Sequence, residues 1–176
     1  MKKLLLHVCC GPCATEVIER LKDNYEISLF FYNPNIQPVE EYNLRLEQVK
    51  KLADIHDLEL FIHEQDDDAW FTETEGLDNE PEGGRRCEKC LGLRIETAAR
   101  FAADHNFDTF TSSISISPYK NHILIKRIGN RVAGKFGVDF VDDDFKKDDG
   151  YKKSIELSKK HGLYRQNYCG CIYSKK

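Results

Sequence analysis

Three short motifs, Cys9-Cys10-Gly11-Pro12-Cys13, Cys87-Glu88-Lys89-Cys90 and Cys169-Gly170-Cys171, hold all seven cysteines of this chain. A lone cysteine usually behaves as a small buried hydrophobe. Cysteines one to three residues apart instead direct their sulfurs at a shared point, and soft thiolates suit zinc, copper(I) or iron-sulfur clusters. Three chemistries therefore stand open: a [4Fe-4S] cluster, a structural zinc knot and thiol redox catalysis. A closed zinc site uses four ligands, which leaves the other thiols without a role. The surplus favours a cluster with a second function beside it.

Spacing assigns Cys9, Cys10, Cys87 and Cys90 to the cluster. The second pair opens a helix, whose positive dipole end favours thiolate and cluster charge. Cys169 and Cys171 then remain for a redox-active dithiol or a second metal, and Cys13, one turn into the first helix, can join either site. His7, on the strand before the first motif, reads as a hydrogen-bonded core histidine in preference to a metal ligand.

The elements that must carry these residues follow from hydrophobic periodicity. The run Leu4-Leu5-Leu6-His7-Val8 reads as a buried strand, and Ala14, Val17, Ile18 and Leu21 as a helix entered through Gly11-Pro12. Further strands are expected at 27–32, 58–62, 107–112 and 138–141. Helices are expected around Tyr42 to His56, Leu91 to Ala102, Ile125 to Val132 and Tyr151 to Ser158. Alternating strands and helices predict an α/β fold, one domain spanning 1–176, with a mostly parallel sheet covered on both faces. Ligands of such sheets bind beyond the carboxyl ends of the strands. The first two cysteine motifs fall there, with the third in a tail that folds over that rim.

Outside the cysteines the signals are weaker. Asp142-Asp143-Asp144 offers a hard ligand or a proton, although a charge run is ordinarily a solvated loop. Tyr119 and Lys120 follow a strand end on the same rim and suit proton donation or phosphate contact. The acidic stretch from Glu64 to Glu82 reads as a solvated loop. Arg127, Arg131 and Lys135 form a basic stripe; with Lys120, Lys126, Lys159, Lys160, Arg165, Lys175 and Lys176 they offer phosphate contacts, and unpaired RNA bases would stack on Tyr119, Tyr164 or Tyr168. The formal net charge is -4, so any nucleic-acid contact must rest on local charge. The N-terminal apolar run is too short for a signal peptide and no later segment suits a membrane span, which predicts a cytoplasmic protein with no membrane partner. A reducing cytoplasm also disfavours a disulfide framework.

The set His7-x-Cys9-Cys10-Gly11-Pro12-Cys13, Cys87-x-x-Cys90-x-x-x-Arg94, Ser117-Pro118-Tyr119-Lys120 and Tyr168-Cys169-Gly170-Cys171 resembles the cobalamin-independent epoxyqueuosine reductase family, QueH, over nearly the full length. The resemblance implies reduction of epoxyqueuosine to queuosine at the tRNA wobble position, a two-electron epoxide deoxygenation. It also implies a [4Fe-4S] cluster with an additional iron, an electron donor of unknown identity, and no use of cobalamin. The implied fold is that of the adenine nucleotide α-hydrolase and PP-loop group, with the cysteine-rich turn in place of the phosphate loop, so no ATP is expected. Two other functions compete: a zinc-stabilised nucleic-acid-binding module and a tRNA sulfur-transfer enzyme.

Overall fold

A computed structural model describes residues 1–175; Lys176, counted above among the basic residues, lies outside the described residues. The chain runs β1 (Lys2–His7), α1 (Gly11–Leu21), β2 (Tyr25–Phe31), α2 (Val39–His56), β3 (Glu59–Ile62), α3 (Asp67–Glu73), α4 (Arg85–Asp104), β4 (Thr109–Ser112), α5 (His122–Phe136), β5 (Asp139–Phe140) and α6 (Gly150–Lys160), with a short 3-10 turn at Ser113–Ile116. The five strands form one parallel sheet in the order β3-β2-β1-β4-β5.

Strand β1 occupies the centre because it is apolar on both faces: Leu4, Leu5, Leu6 and His7 are all fully buried, as a parallel strand covered by helices requires. Its alternation splits the core. Leu4 and Leu6 pack with Val17, Val49 and Leu52 of α1 and α2, while Leu5 packs with Leu91, Ile95, Ile128 and Val132 of α4 and α5. Gly129 lets α5 approach β5 closely, since a Cβ there would stand 2.5 Å from the Phe140 ring.

Winding outward from β1 in both directions places a topological switch point between β1 and β4, where such sheets open a crevice at their carboxyl ends. The first cysteine turn follows β1 and the Ser113–Lys120 segment follows β4, one on each lip of that crevice.

The acidic segment departs from expectation. Residues from Asp67 to Glu73 form α3 instead of a solvated loop, because Trp70, the single tryptophan, is fully buried against Cys90 and Cys171. Asp66 caps this helix by accepting from Ala69 N at 3.0 Å, and Arg86 gathers the carbonyls of Leu77 and Glu80 behind it at 3.1 and 2.7 Å. The charges point outward while one apolar face docks. No described helix is long and apolar enough to cross a membrane.

Candidate metal centre

Cys10 ends the β1 turn in extended conformation and caps α1, its sulfur accepting from Cys13 N at 3.4 Å. Capping turns Cys10 and Cys13 toward each other, with their sulfurs 2.6 Å apart and Cys9 Sγ 3.9 Å from Cys10. The ligand atoms of Cys9, Cys10 and Cys13 all lie within 4.8 Å of one another. Gln166, from the tail, donates its amide to Cys10 Sγ at 3.0 Å. Hydrogen bonds from Cys10 and Cys13, with the charge of Arg94, hold the Cys9 thiol well below its ordinary range. Burial pushes Cys10 up, and hydrogen bonding to Cys10 and Cys9 pushes Cys13 up.

A second group gathers around a small space of about 10 Å³ lined by Cys87, Cys90, Cys169 and Cys171 with Arg94 and Lys120, at the lower limit for a single water. Cys87 and Cys90 sit in the first two turns of α4, and Gly83 N donates to Cys87 Sγ at 3.2 Å. The tail brings the other two. Arg45, itself buried and paired with Glu41 at 2.8 Å, donates to Cys169 O at 2.7 Å and Tyr168 O at 2.9 Å. Gln37 N donates to Gly170 O at 2.9 Å, and Ile172 N donates to Gln37 Oε1 at 3.2 Å. Gly170 has φ +138°, a region that favours glycine, and this turn separates the two tail thiols.

Two cations serve the thiols. Arg94, one turn beyond Cys90, is only 3% exposed and responds to Cys90, Cys169 and Cys9. Its charge is felt by thiols of both groups. Lys120 Nζ donates to Cys169 Sγ at 3.2 Å; burial opposes its charge, yet the thiolates keep its pKa raised. Trp70 closes the space from the side; its Nε1 has no partner of hydrogen-bond length, and the indole favours the Cys90 thiolate. Burial nevertheless leaves the Cys90 thiol raised.

His7 is a core residue, as its sequence context suggested. Its Nε2 lies 3.0 Å from the Tyr32 carbonyl, so that nitrogen carries the proton and Nδ1 accepts from Ser112 Oγ at 2.9 Å. Burial, then the Arg94 charge, lowers its pKa to about 4. The acidic run after β5 is spent on ion pairs: Asp142 meets His122 at 3.2 Å and Lys126 at 2.8 Å, and Asp144 meets Lys146 at 3.1 Å. The basic stripe partly braces α5 on α4 through Arg127–Glu88 at 2.8 Å and Lys135–Glu96 at 2.7 Å. A larger cavity, lined by Lys2, Tyr25, Val138 and Asp139, opens at the opposite end of the strands and touches no thiol.

Sequence reasoning passed over Arg45, Gln37, Trp70 and Gln166. Only Trp70 left a trace, as one large apolar residue inside an acidic stretch; Arg45 and Gln37 act on the tail that folds back over them, and Gln166 lies in that tail.

A family model described as epoxyqueuosine reductase QueH matches residues 4–176. The chain belongs to that family. Curated members of this family of oxidoreductases include a protein of Acinetobacter baylyi, 42% identical over 98% of this chain and 80% of its own length, and one of Thermotoga maritima, 37% identical over 99% and 91%. Both are named epoxyqueuosine reductase QueH. The fold is also similar to a solved structure from Methanocaldococcus jannaschii described as a predicted subunit of tRNA methyltransferase, with TM-score 0.57 and 12% identity over 89% of this chain and 74% of that one.

Proposed function

We propose that this chain reduces epoxyqueuosine to queuosine at the anticodon wobble position of tRNA, with its cysteines holding a [4Fe-4S] cluster and an additional iron. The observation that carries this reading is the pair of thiol groups, Cys9, Cys10 and Cys13 in one and Cys87, Cys90, Cys169 and Cys171 in the other, with thiols of both acting on the charge of buried Arg94. The donor set fits the group: soft sulfurs in surplus of four, backed by buried Arg94 and half-buried Lys120, whose charges balance the thiolates.

Cys9, Cys10, Cys87 and Cys90 would hold the cluster, drawing two thiols from each group. Cys13, beside the first pair, and Cys169 and Cys171, beside the second, would hold the additional iron, or the tail pair would act as a catalytic dithiol. When bound, the metal centre supplies electrons and a Lewis-acidic site for an epoxide oxygen. The protein's own contribution is the surrounding shell. Lys120 and Arg94 neutralise the sulfurs, Trp70 and the tail exclude water, and Gln166 donates a hydrogen bond to the first group. A structural zinc at Cys87, Cys90, Cys169 and Cys171 would account for four thiols and leave the gathered Cys9, Cys10 and Cys13 unexplained.

Nucleoside mass spectrometry of tRNA from cells lacking this protein tests the activity. Epoxyqueuosine is expected to accumulate, and normal queuosine with no epoxide would overturn the reading. Iron and sulfide assays on anaerobically purified protein test the cofactor, for which stoichiometric zinc and a colourless sample would be the contrary result.

A further inference from the structure

Sequence pattern offered Tyr119, Tyr164 and Tyr168 equally as aromatic surfaces for unpaired bases, and their surroundings separate them. Tyr168 gives its hydroxyl to the Gln37 carbonyl and lies under Arg45 and Lys175, whose cationic ends stand 5.2 and 5.6 Å from its ring centre. Tyr164 gives its hydroxyl to Glu41 at 3.2 Å and is half-buried. Both are occupied in pinning the tail. Tyr119, in the turn before α5, is 78% exposed, and Ile123, in the first turn of α5, is 77% exposed.

The backbone beneath Tyr119 is held firmly. Tyr119 N donates to Ser117 Oγ at 3.2 Å, Lys120 N donates to Ser117 O at 3.2 Å, and Asn121 caps α5 through Ile123 N and Leu124 N at 2.9 and 3.3 Å. The next side chain, Lys120, turns inward to Cys169. A fixed turn therefore sends one residue to the thiols and presents its neighbour's ring to solvent at the mouth of the same site. Ordering such a ring costs little, since the turn already fixes its backbone.

The surroundings carry positive charge. Ile123 heads the exposed face of α5 that continues through Lys126, Arg127 and Arg131, and Arg85 and Lys89 are exposed at the start of the adjoining α4. Asp142 and Glu88 pair with Lys126 and Arg127, whereas Arg85, Lys89 and Arg131 have no ion-pair partner among the described residues. An exposed aromatic flanked by unpaired cations matches the chemistry of a single-stranded nucleic acid, in which bases stack and phosphates need neutralising.

We infer that Tyr119 and Ile123 form the stacking platform for an unpaired RNA base next to the one entering the thiol site, with Arg85, Lys89 and Arg131 receiving the phosphates. This deepens the proposed function and rests on it for the identity of the RNA. The test measures binding of the full chain to a fluorescein-labelled RNA hairpin with an unpaired loop, against a fully paired duplex. Wild type is expected to prefer the hairpin. Tyr119→Ala should weaken hairpin binding about 10-fold or more, and Tyr119→Phe should stay within about 3-fold of wild type.

A second signature separates stacking from charge. Tyr119→Ala should leave the salt dependence of binding unchanged, while Lys89→Ala lowers its slope by about one. Hairpin affinity unaltered in Tyr119→Ala, or equal binding of hairpin and duplex by wild type, would overturn the platform. Turnover of epoxyqueuosine in tRNA is read separately: wild type that binds through Tyr119 without reducing the epoxide sinks the proposed activity alone. Wild-type turnover with unaltered binding in Tyr119→Ala sinks the platform alone.

Discussion

Cys9, Cys10 and Cys13 come together through a single strand-to-helix junction, whereas Cys87 and Cys90 meet Cys169 and Cys171 only because a distant tail returns over the sheet. The first group is held by a helix cap and by a strand buried on both faces. The second is held by contacts to the tail backbone from Arg45 and Gln37, by Lys120 on a sulfur and by the Trp70 side chain. Local geometry therefore protects one group, while the other is exposed to every perturbation of long-range packing.

The largest effect is expected where the local group is altered without disturbing its frame. Serine is a good helix cap, so Cys10→Ser should keep the melting temperature close to wild type while iron content and turnover are lost. Retained iron in this variant would remove Cys10 from the ligands. Cys169→Ser probes the other group in the same assays: lost iron would mark a ligand, and intact iron with lost turnover a dithiol relay.

Arg45→Ala comes next, because it frees the carbonyls of Tyr168 and Cys169 and leaves the mostly buried Glu41 with no cation, only the Tyr164 hydroxyl. Breaking a buried pair costs about 3–5 kcal/mol, to be read from denaturant unfolding. Limited proteolysis should show the tail cut first. Equal protection of the tail in wild type and variant would contradict the pinning role.

Gly170→Ala should cost about 1–3 kcal/mol through strain in the left-handed region, with its Cβ 3.1 Å from Arg45 Nη1 and Ile36. Alkylation rates of Cys169 and Cys171 in metal-free protein should rise, with those of Cys9, Cys10 and Cys13 unchanged. A uniform rise would mean that the two groups do not loosen independently.

The smallest change concerns Asp144. Burial alone would raise its carboxyl, yet hydrogen bonds and charge from Lys146 hold it below the usual range. Because the folded pKa is depressed, the pair's stabilisation is present above the unfolded carboxylate value and is lost as pH falls through the folded one. The Asp144 side chain is still 18% exposed and solvent screens the pair, so the term should stay at about 1 kcal/mol. Asp144→Asn should flatten that acid-side slope. Lys146 also donates to the carbonyls of Ser115 and Lys120 at 3.0 and 3.4 Å, so any change at the thiols should appear at Cys169 first.

Much of the fold was legible because its strands and longer helices carry their own periodicity: Leu4 to Val8 announced a buried strand, and Leu91, Ile95, Ala98 and Ala102 one face of α4. Helix α3 was not legible, since Asp66-Asp67-Asp68 dominates the local composition and only burial of Trp70 explains why the segment folds. The basic stripe was visible as a pattern, but its use was not: Arg127 and Lys135 turn out to brace α5 against Glu88 and Glu96.

The sequence by itself determined which atoms are available, seven thiols in three motifs, and that Cys9 and Cys10 would lie together, because neighbours in one turn have few ways to point apart. Only the tertiary structure decided that Cys13 lies with Cys9 and Cys10, that Cys87 and Cys90 share a space with Cys169 and Cys171, and that the charge of Arg94 is felt by thiols of both groups. The Cys13 contact depends on the cap geometry of α1, and the other two depend on contacts between residues far apart in the chain, whose partners are chosen by packing and charge after the sheet has formed.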